Sequence, residues 1–402
     1  MKLARLYIDS YKGLSRPAWV LASVLLINRT GTLVLPFLSL YLKENLNFSL
    51  AQIGSVLAAF GFGSLVGSFL GGWLTDRLGA FAVQTGSLFG AGICFLILKE
   101  VETFHGLIIG FFITTVIADS LRPANSTAVA EYAKPENLTR AYSLNRMAIN
   151  LGFSIGPAVG GLLAARNYEL LFYADGFTCI AAGLVFAFYF GKRKRRKKEP
   201  VSEEVIEAKK NPWQDFNFLF FLLFVAGYGL VFFQLFNTLP LYYRDVYNLS
   251  ENHIGLLLAL NGLLVFLIEM PLVKSLGNNR PVHKIVAFGA VLAGLAYFSL
   301  TLAEGLAILV FSMIALSLSE ILAMPYMTTF TVNRAGKSSR GKYLGLYSVG
   351  YGIAFIAAPA VGTFLIDFSG FTLLWNTMGI IAIAIAFGLL KIMSSKATET
   401  EK

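Results

Sequence analysis

Charged side chains are scarce in this chain of 402 residues, where Asp, Glu, Lys and Arg make up 14% and hydrophobic residues 56%. A soluble protein of this length needs far more charge to cover its surface. The mean hydropathy of +0.66 points the same way. The composition therefore predicts a polytopic membrane protein.

Residues that carry out chemistry are equally scarce, with two cysteines and three histidines. Cys94 and Cys179 both lie in apolar segments, which favours neither a disulfide framework nor a metal site. No His/Cys cluster, phosphate-binding loop or catalytic-triad spacing occurs in the sequence. We therefore expect no enzyme activity and no catalytic residues. We also expect no metal, no cofactor and no use of ATP.

A cleavable signal peptide is also missing, because no small-residue cleavage pattern follows the first apolar run, and the first span is expected to remain as an anchor. Runs long enough to cross a bilayer predict twelve spans. In the first half they are Ala18–Tyr41, Ala51–Leu74, Phe81–Leu98, Gly106–Ala130, Ala141–Ala164 and Glu169–Phe190. In the second half they are Phe216–Leu241, Ile254–Val273, Ile285–Leu302, Leu306–Thr331, Tyr343–Ile366 and Thr372–Met393.

The positive charges indicate how these spans are oriented. Outside the spans and their ends, the only Lys and Arg on the side opposite the termini are Lys43, Lys99, Arg166 and Arg244. By the positive-inside rule both termini are predicted to be cytoplasmic, in a multi-pass protein of the cytoplasmic (inner) membrane. The run Lys192–Lys198 is interpreted as a topogenic charge block in a linker; the other interpretation is a patch for nucleic acid or anionic lipid.

The two halves of the chain repeat each other. Residues 40–54, LYLKENLNFSLAQIG, align without gaps to 241–255, LYYRDVYNLSENHIG, with six identities. PAVG recurs at 157–160 and 359–362. This duplication predicts an all-α membrane protein with twelve transmembrane helices in two pseudo-symmetric six-helix bundles. The predicted domains are 1–190, a basic cytoplasmic linker 191–214, and 215–402.

A glycine-rich stretch, LGFSIGPAVGG, lies in the fifth predicted span. Three of its glycines are four residues apart, so they share one helix face that another backbone can approach closely, and its proline bends the helix. The stretch resembles the antiporter signature in the fifth helix of the major facilitator superfamily. The residues that carry the resemblance are Gly152, Gly156, Pro157, Gly160 and Gly161.

A second motif, GWLTDRLG at 72–79, resembles the superfamily's loop between helices two and three. The basic residues that follow it in the family are missing here. The resemblance implies a cytoplasmic gate built from Gly72, Asp76, Arg77 and Gly79. Glu131, at the end of the fourth span, would be the acid that pairs with Arg77.

Together these motifs resemble the twelve-span drug/proton antiporter group, and within it the MdtH-like multidrug resistance branch. The resemblance covers nearly the whole chain and implies the major facilitator fold. It also implies a monomer in the lipid bilayer, a small-molecule substrate, protons as coupling ion and no nucleic-acid partner.

Five ionisable residues within spans are singled out as candidates, because such a residue normally faces a cavity and has a partner or a function. We expect Asp119 or Glu320 to carry the coupling proton. Glu320 is the better candidate, because Asp119 has two arginines to pair with, Arg29 and Arg122. Structural pairing of Asp119 is the other interpretation. Glu269, near a span end, is expected to be structural or interfacial.

The family's helices one, four, seven and ten line its central cavity, which places Arg29, Asp119 and Glu320 around one volume near the middle of the membrane. Four polar residues are further candidates for contact with a substrate, although hydrogen bonds between helices explain them equally well. They are Asn28, Gln234, Asn237 and Asn261.

These patterns predict a secondary transporter that exports lipophilic or amphiphilic small molecules in exchange for protons, by alternating access. The alternative is proton-coupled uptake of a zwitterionic or anionic solute such as a peptide or amino acid. A non-transporting membrane sensor or scaffold is the third interpretation, and it leaves the charges inside the membrane without a purpose.

Overall fold

The computed structural model describes residues 13–133, 138–191, 211–276, 281–335 and 339–394, and no strand occurs among them. The first half contains α1 Arg16–Thr30, α2 Val34–Glu44, α3 Leu50–Leu78, α4 Ala80–Leu98, α5 Phe104–Asp119, α6 Leu121–Tyr132, α7 Leu138–Ala164 and α8 Glu169–Phe190. The second half contains a 3₁₀ turn Pro212–Gln214, α9 Phe216–Phe232, α10 Gln234–Asn237, α11 Leu239–Asp245, α12 Glu251–Leu276, α13 Val282–Leu302, α14 Leu306–Ala335 and α15 Arg340–Ser394. Most of the predicted linker, residues 192–210, lies outside the described residues.

Among the described residues, 11 helices are apolar and long enough to cross a membrane. The last of them, Lys342–Ser394, is interrupted at Ser369 and at Gly370, which has a φ of 78°. Glycine adopts such a positive φ without steric cost, so the chain reverses here between two crossing segments. The all-α membrane fold with twelve crossing segments is confirmed.

Contacts divide the chain into two units. Unit 1 holds the described residues as far as Phe37 together with those from Ala59 to 191. Unit 2 holds Leu38–Ala58 together with the described residues from 211 onward. The 38–58 segment, the end of α2 and the beginning of α3, is therefore packed on second-half residues although it belongs to the first half of the sequence.

The helices of unit 1 enclose an aliphatic and phenylalanine core that includes Leu21, Leu88 and Phe186. Large apolar side chains also lie on its outer surface, and Phe188 is 89% exposed. In a membrane-spanning bundle such surfaces contact lipid, so the exposure of these apolar side chains is not unfavourable. Unit 2 packs more aromatic rings, among them Tyr297 and Trp375, which stack at 5.2 Å.

The predicted duplication is visible in the backbone of unit 2. Asn47 and Asn248, 201 residues apart, both have a positive φ, 53° and 50°. The next residue donates its N–H to the helix behind it in each case, Phe48 to the Leu42 oxygen and Leu249 to the Tyr243 oxygen. Asparagine tolerates this left-handed conformation better than most residues. The same turn therefore ends the first transmembrane segment of each half.

Candidate functional site

The first transmembrane segment of unit 1 is broken in the middle, although the sequence predicted a continuous span. Helix α1 ends at Thr30 and α2 begins at Val34. Asp175, in α8, accepts the backbone N–H groups of Leu33 at 2.8 Å and Val34 at 3.2 Å. A carboxylate at a helix N-terminus satisfies the free donors and interacts favourably with the helix dipole. Asp175 therefore stabilises the break.

The predicted glycine face of α7 packs against the end of α1. A Cβ on Gly152 would lie 2.4 Å from the Arg29 Cβ, and one on Gly160 would lie 2.9 Å from the Phe37 ring. Gly156 faces the backbone oxygen of Thr32. The close backbone approach predicted for this stretch is confirmed, and it fixes the turn of helix that carries Arg29.

A second break places Asp119 at the end of α5. Pro123 explains the break, because its ring would clash with the carbonyl of Asp119 four residues earlier in a continuous helix. The carbonyl groups of Ile117 and Ala118 accept the Ser87 hydroxyl at 2.6 and 3.1 Å. The interrupted helix therefore keeps its buried polar groups paired.

Asp119 is held as an ion pair. Its Oδ1 accepts the Nε of Arg122 at 2.8 Å, and Ser64 of α3 donates its hydroxyl to Oδ2. The carboxylate is buried, while the Arg122 side chain is 56% exposed. The structure thus brings together Asp119 and Arg122, as predicted, and adds Ser64.

Arg29 lies in the electrostatic field of both members of that pair, Asp119 and Arg122. Its guanidinium is 5.8 Å from the centre of the Phe153 ring. The buried Nε of Arg29 has no hydrogen-bond partner among the described residues. The preceding residue, Asn28, donates to the Cys179 sulfur at 3.3 Å, so this candidate cavity residue bonds another helix. Arg29 keeps an unused buried donor.

The predicted proton carrier of unit 2, Glu320, has different surroundings. Asn261 donates its side-chain amide to Glu320 Oε2 and to the Ser317 hydroxyl, both at 3.1 Å. The neighbouring Ser319 bonds the Tyr228 hydroxyl at 2.9 Å. An amide can donate to a carboxylate and, after rotation, accept from a carboxylic acid. Glu320 therefore keeps this bond whether it is charged or neutral.

Aromatic side chains surround this group. Tyr228 and Tyr351 both interact electrostatically with Glu320. Tyr351 also packs edge-on against Tyr347 at 5.3 Å and against Phe233 at 6.4 Å. Rings of this kind offer apolar area and favour cations over their faces.

The remaining polar candidates lie at the break between α9 and α11. Gln234 donates to the Ala358 oxygen at 3.0 Å and accepts the Thr238 hydroxyl at 2.8 Å. Gly362 leaves room for it, since a Cβ there would lie 2.4 Å from the Gln234 oxygen. The oxygen and the nitrogen of the Gln234 side chain are therefore both bonded within the protein, and its contact with a substrate stays a prediction. Asn237 is 2% exposed, and its Nδ2 has no hydrogen-bond partner in the described part of the chain.

The predicted cytoplasmic gate lies within unit 1. Gly79 has a φ of 82° and precedes α4, which explains a glycine at this turn. The exposed Arg77 lies 4.0 Å from the centre of the Trp73 ring. No ion pair between Arg77 and Glu131 occurs among the described residues, so this pairing stays a prediction, as do the roles of Gly72 and Asp76.

Sequence reasoning missed Asp175, Ser64 and the tyrosines around Glu320. Asp175 lies inside a predicted span, so the criterion that selected Asp119 would have found it. The tyrosines gave no such signal, because tyrosine is common in apolar segments. Glu269 is buried, as its expected structural role requires. The volume predicted to join Arg29, Asp119 and Glu320 involves both units and stays a prediction.

Two named relatives align with most of this chain. The chain is 23% identical over 359 residues to multidrug resistance protein 2 of Bacillus subtilis, covering 83% of this chain and 84% of that protein. It is 24% identical over 373 residues to a Na⁺, Li⁺, K⁺/H⁺ antiporter of Planococcus maritimus, covering 83% and 85%. No group of acidic, His or Cys side chains suited to a metal ion occurs among the described residues.

Solved structures share the fold. A crystal structure of the peptide transporter POT in complex with sulfate aligns with a TM-score of 0.81 at 16% identity, covering 96% of each chain. The profile of the Major Facilitator Superfamily matches residues 19–341 and 254–402. With its duplicated halves and its helices interrupted at polar residues, the chain belongs to the Major Facilitator Superfamily of membrane transporters.

Proposed function

We propose that this transporter exports lipophilic or amphiphilic small molecules in exchange for protons, with Glu320 as the proton carrier. The observation that carries the proposal is the hydrogen bond from the Asn261 amide to Glu320. The Asn261 amide retains its bond to Glu320 when the Glu320 carboxylate is protonated. Protonation of Asp119 would instead break its ion pair with Arg122. A carrier must alternate between both states at low cost, and Glu320 meets that requirement better.

The surroundings of Glu320 also support a lipophilic substrate. Tyr228 and Tyr351 interact electrostatically with the carboxylate, and Tyr351 packs against Tyr347 and Phe233. Such rings bind apolar and cationic surfaces without a fixed set of hydrogen bonds. The relatives named above include a multidrug resistance protein and a cation/proton antiporter. We extend export and proton exchange to this chain on that basis.

Everted membrane vesicles provide the test. A lipophilic cation such as ethidium, added to vesicles acidified inside, should be accumulated and should release part of the pH gradient. Glu320→Gln should abolish both effects in protein that is normally expressed. The matched control is Asp119→Asn, which removes the other candidate carboxylate and should leave the exchange in place. Undiminished exchange in Glu320→Gln would refute the choice of carrier.

Proton-coupled uptake of an anionic or zwitterionic solute is the second candidate, and Arg29 favours it. Its buried, unpartnered Nε is suited to a substrate carboxylate. Under this alternative, intact cells would accumulate amino acids or dipeptides as the medium pH falls. Arg29→Lys would then weaken uptake, since the bidentate geometry of arginine is lost. The vesicle assay separates the two candidates by the direction of movement.

We further propose that the protein lies in the inner membrane as a monomer with both termini in the cytoplasm. The distribution of Lys and Arg supports this orientation. It places the exposed Asn45, in the turn between α2 and α3, outside the cell. An Asn45→Cys variant should therefore react with a membrane-impermeant maleimide in intact cells, and protection there would reverse the assigned topology.

A further inference from the structure

Tyrosine recurs at every fourth position near the start of α15, as Tyr343, Tyr347 and Tyr351. Residues four apart share one face of a helix, so these side chains form a single stripe, called here the tyrosine stripe. Tyr343 and Tyr347 are buried, and Tyr351 is partly buried. A tyrosine hydroxyl can both donate and accept a hydrogen bond. The stripe therefore aligns several such hydroxyls along one helix inside unit 2.

One end of the tyrosine stripe lies at Glu320. Tyr351 interacts electrostatically with Glu320, as does Tyr228 of α9. The Tyr351 hydroxyl donates to the Met327 sulfur at 3.8 Å. A thioether is a weak acceptor, so this bond is easily exchanged for a better one. The Tyr351 hydroxyl is thus available to the Glu320 carboxyl group.

The middle of the stripe is held by hydroxyl contacts. The Tyr347 and Tyr351 side chains interact through their hydroxyls, and their rings pack edge-on at 5.3 Å. Thr328 of α14 donates its hydroxyl to the Tyr347 oxygen at 3.3 Å. Tyr347 therefore accepts from one helix while its own proton is free to point along the stripe.

The other end of the stripe reaches the surface. Tyr343 donates its hydroxyl to Asp215 Oδ2 at 3.0 Å, and Arg334 donates to the same oxygen at 2.6 Å. The Asp215 side chain is 18% exposed, so water reaches it. Tyr343 and Tyr347 are one helical turn apart, about 5.4 Å along the axis. A single bridging water spans such a distance between two hydroxyls.

Unit 1 has no counterpart of the stripe in its sequence. The two PAVG sequences align α7 with the first part of α15, and the tyrosines then correspond to Ala141, Asn145 and Ile149. The shared fold therefore does not require tyrosine at these places. The stripe accompanies the amide-bonded Glu320 and is missing from the half in which Asp119 is ion-paired.

We propose that the tyrosine stripe conducts the coupling proton from Glu320 to water at Asp215, the end of unit 2 that the assigned orientation places in the cytoplasm. This inference rests on the proposed function, because it takes Glu320 as the proton carrier. It adds a route for the proton that is separate from the substrate.

The transfer is a relay in which every hydroxyl gives up one proton and receives another. The Glu320 carboxyl group passes its proton to the Tyr351 oxygen while the Tyr351 proton moves to Tyr347. The transfer continues through the bridging water and Tyr343 into the water at Asp215. Glu320 ends as a carboxylate, one proton enters the solvent, and each tyrosine remains neutral. No charged tyrosine has to exist in the apolar core, where a charge is costly.

The rate at which Glu320 loses its proton tests the path without any substrate. After a rapid rise in pH, purified protein in detergent should lose a carboxylic-acid infrared band that is absent from Glu320→Gln. Tyr347→Phe should slow this loss at least about tenfold, because the ring is kept but the relay hydroxyl is removed. Tyr351→Phe should slow it as well. The midpoint pH of the band should change far less than the rate, because a path alters how fast equilibrium is reached and not where it lies.

The matched control is Tyr242→Phe. It removes a buried hydroxyl of the same unit that donates to the Leu300 oxygen at 2.9 Å and lies outside the stripe. This variant should lose the Glu320 proton at the parent rate. An unchanged rate in Tyr347→Phe and Tyr351→Phe, or equal slowing in Tyr242→Phe, would overturn the relay.

Vesicle transport separates the relay from a structural role. In Tyr347→Phe, exchange of ethidium for protons should slow, whereas exchange of ethidium for ethidium, which moves no net proton, should keep the parent rate. Equal slowing of both would overturn the relay. If the parent exports no tested compound but Tyr347→Phe still slows proton loss from Glu320, the proposed export fails and the relay stands. If no infrared band depends on Glu320, the choice of carrier fails and the relay fails with it.

Discussion

Each unit has a carboxylate inside a predicted span, and the two carboxylates have different hydrogen-bond partners. In unit 1, Asp119 is bound by the Arg122 guanidinium, and Arg29 lies in the field of the pair. In unit 2, Glu320 bonds the neutral Asn261 amide among tyrosines. An ion pair fixes a charge, whereas an amide accommodates both protonation states. The duplicated scaffold thus carries an ion pair in unit 1 and an amide-bonded carboxyl in unit 2, and the proposed function assigns the mobile proton to the second.

The units agree in how they hold a broken first helix. In unit 1 the glycine of PAVG, Gly160, packs on Phe37, and in unit 2 the matching Gly362 packs on Gln234. The units differ at one pair of equivalent positions, 201 residues apart in the sequence, where unit 1 has Asp175 and unit 2 has Asn376. Asp175 binds two backbone N–H groups, while Asn376 accepts the Thr301 hydroxyl at 3.3 Å. The break is shared, and the polar groups that support it are not.

The largest effect is expected from filling the contact that positions Arg29. Gly152→Leu places a side chain where a Cβ alone would lie 2.4 Å from the Arg29 Cβ. Overpacking of this kind costs about 1–3 kcal/mol or more, and thermal unfolding in detergent should show it. Gly86→Ala is the control, because nothing lies within 4 Å of its Cβ. A stable Gly152→Leu protein would contradict the tight positioning of Arg29.

Breaking the fixed pair should have the next largest effect. Arg122→Gln leaves the buried Asp119 with the Ser64 hydroxyl and lowers stability by about 1–2 kcal/mol, a figure reduced for the exposure of Arg122. The double variant Asp119→Asn/Arg122→Gln should recover much of this loss, because no unpaired charge remains. Additive losses in the double-variant cycle would show that the two residues are not coupled.

Replacing the Asp175 carboxyl by an amide makes the first break in unit 1 resemble the equivalent place in unit 2, where Asn376 lies. Asp175→Asn retains one carbonyl acceptor for the N–H groups of Leu33 and Val34, so stability should fall by about 1 kcal/mol. Asn376→Asp should bring no gain in unit 2, where no backbone donor is bound at that place. Chemical unfolding of the purified protein measures both, and equal stability of Asp175→Asn and the parent would reject the capping role.

Most of the fold was predictable, because each span is recognised from the hydropathy of its own residues and the duplication relates the spans of the two halves. Pro123 and the glycines of α7 marked a break and a close contact locally. The docking of residues 38–58 on unit 2 was not predictable, since it depends on pairs about 200 residues apart. Asp215 and Arg334 also escaped notice, because charges at span ends are ordinary.

The smallest effect on stability is expected from the Asp215–Arg334 pair, which has no counterpart in the sequence of unit 1. Asp215 bonds Arg334 at 2.6 Å and the Tyr343 hydroxyl at 3.0 Å, whereas residues 14 and 133 are Leu and Ala. Burial by itself would raise the pKa of Asp215, but the Arg334 bonds and charge lower it overall. The pair therefore stabilises the protein above the ordinary aspartate pKa of about 3.9, and its contribution is lost as the pH falls through the lowered value.

Unfolding measured at decreasing pH tests whether the stabilisation by Asp215 is lost in acid. The parent should lose more stability than Asp215→Asn as the pH falls below the ordinary aspartate pKa of about 3.9. Parallel curves for the two proteins would mean that Asp215 contributes no pH-dependent stability.

Proton release on substrate binding tests the central contrast most directly. Purified protein in weakly buffered detergent solution, monitored with a pH-sensitive dye, should release protons when ethidium is added. Asp119→Asn should still release them, and Glu320→Gln should release none while binding ethidium in a fluorescence titration. Release that persists in Glu320→Gln and disappears in Asp119→Asn would contradict the account, because the mobile proton would then belong to unit 1.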